Sequence, residues 1–185
     1  MATIDLTYFF DELLIADKDN NANSIKRFIN QLEPWLLTEL MGYALYKAYA
    51  AGISAGSPDA KWLAIRDGKE YTVSGVLVKW QGLIFKDGPS GDEQSKKSLI
   101  ANYVYWHWIR NNNTVTTAAG EMQAKAGPIA ANTTSKGKTI RAWNQMVDWN
   151  KSFVDFLYFN VADYPEFKNH SVPCHLLEKQ NTLGL

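Results

Sequence analysis

Apolar side chains return at three- and four-residue intervals from Ile25 through Phe28, Ile29, Leu32, Leu36 and Leu40 to Ala44, which predicts a long helix with one buried face. The polar run 17–23 supplies capping residues at its start, and Gly52 with the stretch 54–58 ends it. Pro34 has no N–H and crowds the preceding turn, so a kink or a division is expected there. Ahead of this helix Ile4, Leu6, Tyr8 and Phe10 alternate at period two, the pattern of an extended segment, while Leu13 and Leu14 are equally compatible with a short helix.

Residues 61–85 change character. Asp67-Gly68 lies between WLAIR and KEYTV and reads as a tight hairpin turn, with Ser74-Gly75 as a second turn before VLVKWQGLIF. Two or three short strands are expected. The loop 86–95 follows, rich in turn residues, with Ser90 or Asp92 placed to cap the next helix. That helix, about 93–110, is apolar round nearly its whole circumference, so it is either central in the fold or touched by a neighbouring subunit. A last helix, about 138–159, carries one stripe of Ile140, Trp143, Val147, Val154 and Leu157 and another of Met146, Trp149, Phe153 and Phe156. Two stripes imply two partners, with Trp143 on the core side and Trp149 and Phe153 facing another chain. The tail from Val161, with Pro165 and Pro173, is expected along the surface.

Residues 111–138 contain no aromatic side chain, in a chain with 7 Trp, 9 Tyr and 8 Phe. So little apolar surface cannot offset the entropy of ordering, and the segment reads as a mobile arm that orders against another chain. Asn113, Thr114 and Thr116 offer hydrogen-bonding groups for an added strand, and Val115, Met122 and Ile129 are spaced as separate anchors. The expected fold is therefore mainly α: a single domain over 1–185 whose helical core spans about 23–160. It has a small β-hairpin or meander insertion at about 61–85, a long extended loop at 111–138, and a surface tail at 161–185.

Composition narrows the chemistry. At 185 residues with 46% hydrophobic content the chain can bury a real core, and its 19 basic and 19 acidic residues remove bulk attraction to nucleic acid or acidic membrane. One cysteine, Cys174, rules out an intrachain disulfide. The first twelve residues hold Asp5, Asp11 and Glu12 and no basic residue, unlike a secretory signal, and the apolar run 99–109 is too short to span a bilayer. His107 among Tyr105, Trp106 and Trp108 reads as a packed core histidine. His170, Cys174 and His175, with Glu166 nearby, form a loose cluster without the tight ligand pairs of a structural zinc site. The glycines have neither Walker nor dinucleotide spacing. No catalytic residue, metal or cofactor is expected.

Four motifs share an order: L-x-x-E-L-M-G-x-x-L-Y at 36–46, W-Q-G-L at 80–83, S-L-I-A-N-Y-V-Y-W at 98–106, and a Trp-Asn-rich helix ending F-L-Y-F-N at 156–160. Together, over about 20–168, they resemble the head–tail connector, or neck ring, proteins of tailed bacteriophages, the crAss-like phage group in particular. The resemblance implies a mainly helical virion protein, made in the host cytoplasm and assembled into a homo-oligomeric ring, commonly a dodecamer, beneath the portal protein. Such a ring extends the DNA channel without sequence-specific binding and docks other neck and tail proteins. The contrasting readings are a monomeric binding module for carbohydrate or protein, and a small enzyme with 111–138 as a lid.

Overall fold

The structure, a computed structural model, describes residues 2–15, 17–86, 96–112, 114–117, 120–123 and 133–181. It is mainly helical, with α1 (Ala22–Met41), α2 (Tyr43–Ser54), α3 (Ala60–Asp67), α4 (Leu99–Asn112) and α5 (Thr133–Phe159). The strands β1 (Lys69–Val73), β2 (Val76–Trp80), β3 (Ile84–Lys86), β4 (Lys96–Ser98), β5 (Thr114–Thr117) and β6 (Gly120–Gln123) form the antiparallel pairs β1–β2, β3–β4 and β5–β6.

The all-round apolar helix is central. From Leu99 to Tyr105 every residue of α4 is buried, and the helix packs on α1 at one side and α5 at another. Aromatic contacts mark both seams: Phe28 of α1 meets Trp108 edge-on at 5.4 Å, and Trp143 of α5 meets Trp106 at 4.6 Å. Ser98, at the end of β4, accepts a hydrogen bond from Ile100 N at 3.1 Å and so caps the helix. The expected caps Ser90 and Asp92 lie outside the described residues.

Several local expectations are corrected. Helix α1 runs through Pro34 without ending; the break falls at Gly42, whose φ of 80° no other residue type takes cheaply, and α2 starts there. WLAIR is the body of α3 and not a strand, because Trp62, Ala64 and Ile65 bury together, and Asp67-Gly68 terminates that helix. An Asp-Gly pair suits a helix C-terminus as well as a hairpin. The true hairpin turn is Ser74-Gly75, with φ of 50° and 84° as a two-residue turn of the primed type requires. The N-terminal alternation gives two 3-10 turns, Leu6–Tyr8 and Asp11–Leu13, and not a strand. Asn111 and Asn112 belong to α4, α5 begins at Thr133, and a β-hairpin lies between them, so 111–138 is not one continuous extended loop. Threonine and valine favour the pleated conformation there, and the partner strand is local in sequence.

Residues 80–83 tie the layers together. Trp80 is fully buried, stacked on Phe153 at 4.9 Å and on Phe156 at 5.8 Å, and its Nε1 donates to Ile65 O at 3.1 Å. Leu83 N donates to the same carbonyl at 3.1 Å. Trp149 Nε1 donates to Gly82 O at 2.9 Å, and Ser98 Oγ donates to Leu83 O at 2.8 Å. The W-Q-G-L motif is thus the point where α3, α5 and β4 meet.

Candidate interaction surfaces

The two stripes of α5 both end inside this chain. Trp143 and Trp149 are 6% and 7% exposed, and Phe153 and Phe156 are 0% exposed. The expectation that Trp149 and Phe153 face another chain is therefore corrected: the second partner of α5 is the 80–83 segment with β1–β2, not a neighbour. Thr114, Val115 and Thr116 lie in β5 and Met122 in β6, with Val115 in register with Met122. One edge of 114–117 is thus paired within its own chain. Asn113 and Ile129 lie outside the described residues.

Among the described residues large apolar side chains are left exposed elsewhere: Leu14, 56% exposed just after the turn Asp11–Leu13, and two further groups. Tyr158 and Phe159 end α5 at 68% and 50% exposure, with their rings 5.4 Å apart, and Phe159 also lies 6.4 Å from Tyr71 of β1. The tip of the same hairpin carries exposed Val76 and Leu77. The other group is Trp35 of α1 and Tyr43 at the start of α2. Trp35 lies flat on Tyr103, 5.9 Å away with the planes 5° apart, and His175 approaches its ring at 6.3 Å. Tyr43, Val76, Leu77, Tyr158 and Phe159 sit at element ends where a period runs out, and Trp35 lies within α1.

The tail from Val161 places Tyr164, Phe167 and Leu176 in the core, and α5 holds its later part by the main chain. Asn144 Nδ2 donates to Gln180 O at 3.0 Å while Gln180 N donates back to Asn144 Oδ1 at 2.8 Å. Trp143 Nε1 donates to Glu178 O at 2.9 Å and Asn150 Nδ2 to Leu176 O at 2.9 Å, with Leu176 fully buried.

The histidines and the cysteine have separate settings. His107 sits edge-on to Tyr103 and Trp106 at 4.5 and 4.7 Å, and burial, with Arg110 nearby, pushes its pKa below the ordinary value. It is packed against both rings. His170 lies against Gly42, and its Nε2–H donates to Glu39 O at 2.7 Å, closing the end of α1. Cys174 is exposed, and His175 lies against Trp35. Among the described residues no three of His, Cys, Asp and Glu are grouped to hold a metal ion, and no helix is long and apolar enough to cross a membrane.

Glu33 is the one buried carboxylate among the described residues. It is 4% exposed, and its Oε1 accepts from Thr3 N at 2.7 Å. Burial raises its pKa above the ordinary carboxylate value, against the opposing hydrogen bonds from Thr3 and Ile4. Its role is to pin the N-terminal segment onto α1. No protein-family model matches the chain, and neither a curated protein nor a solved structure matches it.

Proposed function

We propose that the chain is a structural subunit of a ring in the neck of a tailed phage, between portal and tail, and that it acts by assembly and not by catalysis. The observation that carries the reading is the pair of exposed apolar groups on separate elements, Trp35 with Tyr43 and Tyr158–Phe159 with the β1–β2 tip. A ring is built from heterologous contacts, in which each subunit offers two different faces to its two neighbours. Apolar side chains left in water on two separate sets of elements suit that demand. The hairpin β5–β6, with Thr114, Val115, Thr116 and Met122, is the arm that would reach a neighbour or the portal protein. DNA would pass through the lumen without base-specific contacts, in keeping with the balance of 19 basic and 19 acidic residues.

Sedimentation of the purified full chain over a wide concentration range, with micrographs of the largest species, tests the proposal. Closed rings are expected. A protein that stays monomeric up to its solubility limit refutes it.

A further inference from the structure

Where the tail crosses α5 it is held by its backbone. Asn150 Nδ2 donates to Leu176 O at 2.9 Å, Trp143 Nε1 to Glu178 O at 2.9 Å and Asn144 Nδ2 to Gln180 O at 3.0 Å. Side chains of one helix thus take the carbonyls of three alternate tail residues. Asn144 Oδ1 also accepts from Gln180 N at 2.8 Å, so this carboxamide pairs with both main-chain polar groups of a single residue. Leu176 lies at Asn150 and Gln180 at Asn144, so the segment runs against the direction of α5. Trp106 of α4 lines the other side, its Nε1 donating to Gln180 Oε1 at 3.4 Å. The surface between α4 and α5 is therefore a groove that recognises a peptide by its main chain and by one apolar side chain, Leu176, which is fully buried.

That side chain is the one buried residue between Ser171 and Asn181. A segment with so little apolar burial opens at a lower free energy than the helices beneath it. Lys179 adds little to its hold, because its ion pair with Asp148 at 2.7 Å joins two side chains that are both about half exposed. The root of the segment is fixed: His170 donates to Glu39 O at 2.7 Å and lies against Gly42, and Tyr164 and Phe167 are buried before it. Ser171 is exposed and Val172 half-buried, so the chain can be redirected at 171–172 while the core stays as it is. None of the contacts made by 176–180 depends on the segment belonging to the same chain. Exchange of an identical element between copies keeps every such contact, which makes it a low-cost route to association.

We infer that the α4–α5 groove is a docking site for the tail of a second copy. On assembly, residues 173–181 of one subunit leave their own groove and lie in a neighbour's, with Leu176 buried and the carbonyls of 176, 178 and 180 bonded as they are within one chain. The structure itself identifies the occupant, since this segment already fills the groove with its donors and acceptors matched. The inference rests on the ring reading for the presence of a neighbour, and on the groove for the place of contact.

The test uses the full chain with p-benzoylphenylalanine at exposed Glu178, whose carbonyl makes the contact. It is photolysed below and above the concentration at which the chain assembles, and the linked peptides are mapped by mass spectrometry. Below that concentration position 178 should join 141–151 within one chain. Above it, the same junction should appear in a product of two chains. In parallel, sedimentation and near-ultraviolet circular dichroism compare wild type with Leu176→Ser. This variant is expected to fold and to need at least about tenfold more protein to assemble, the loss that follows when a buried leucine side chain is removed from an interface. If position 178 links only within its own chain in rings that do form, or if Leu176→Ser folds and assembles like wild type, the inference is overturned while the ring proposal stands. If the wild-type chain never associates, both fail together. Should Leu176→Ser not fold, the crosslink alone decides.

Discussion

Replacing Trp149 separates a core role from an interface role, since the amphipathic pattern of α5 and the packed structure assign this residue differently. The side chain is 7% exposed, so Trp149→Ala empties almost the whole indole volume inside the domain. Large aromatic-to-alanine changes in cores cost about 3–5 kcal/mol, and losing the donor to Gly82 O, held at 2.9 Å, is part of that cost. Against a total stability of about 5–15 kcal/mol this is a large share. At about 2–4 °C per kcal/mol for a domain of this size, the melting temperature should fall by about 6–20 °C. Trp149→Phe keeps most of the ring and drops only the N–H, so its fall should be about 1–3 kcal/mol. Trp143→Ala should match Trp149→Ala, because Trp143 is equally buried and also donates to a main-chain carbonyl. The assay is circular dichroism melting at a protein concentration where the chain is dissociated. A Trp149→Ala protein that melts within about 2 °C of wild type but no longer associates would refute the reasoning and return Trp149 to a subunit interface.

Two further outcomes follow from single contacts. Gly82 has a φ of 94°, and a Cβ there would lie 2.6 Å from Arg66 O, so Gly82→Ala should prevent folding as judged by loss of the near-ultraviolet signal; a native-like spectrum would show that the close approach of 66–68 to 82 is not required. Glu33 is protonated more readily when folded than when unfolded, because burial raises its pKa, so its contribution to stability is fully present below the ordinary carboxylate range and declines as pH rises toward the folded value. Glu33→Gln should abolish that part of the slope in urea midpoint against pH, and identical slopes for the two proteins would contradict it.

How far the chain's fold could be read in advance depended on whether a pattern was longer than its alternatives. The recurrence from Ile25 to Leu40 allows one explanation, and α1 follows from it; the all-round apolar run of 99–105 fits a central helix or a subunit contact, and the burial of every residue from Leu99 to Tyr105 decides for the first. Asp67-Gly68 allows two, since a glycine with positive φ closes a helix as readily as it turns a hairpin, and only the burial of Trp62 and Ile65 decides. The double stripe of α5 was legible as a demand for two partners, but a pattern counts partners without saying which chain supplies them. Trp80 and Leu83, both 0% exposed, met that demand from within. A cavity of about 590 Å³ between the N-terminal turns, β4, α4 and α5 had no local signature at all. Its walls come from Leu13, Lys97, Asn102 and Gln145, which only the tertiary fold brings to one place.

Internal coverage of α5 has a consequence for any ring the chain builds. With Trp149 and Phe153 packed in the core, the large apolar side chains left exposed among the described residues are Leu14, Trp35 and Tyr43, and the set Val76, Leu77, Tyr158 and Phe159. Taking an aromatic side chain as about 200 Å², an aliphatic one as somewhat less and the exposures as roughly half, Trp35 with Tyr43 offers on the order of 200 Å² and the other four on the order of 350 Å². Stable interfaces bury about 800 Å² on each partner, so these groups alone fall short by more than half. The missing area has to come from polar surface or from a segment that reaches beyond the lateral contact. Association of two copies through these groups only should then be weak, and closure of a full ring, in which every subunit is held from both sides at once, should set in steeply with concentration.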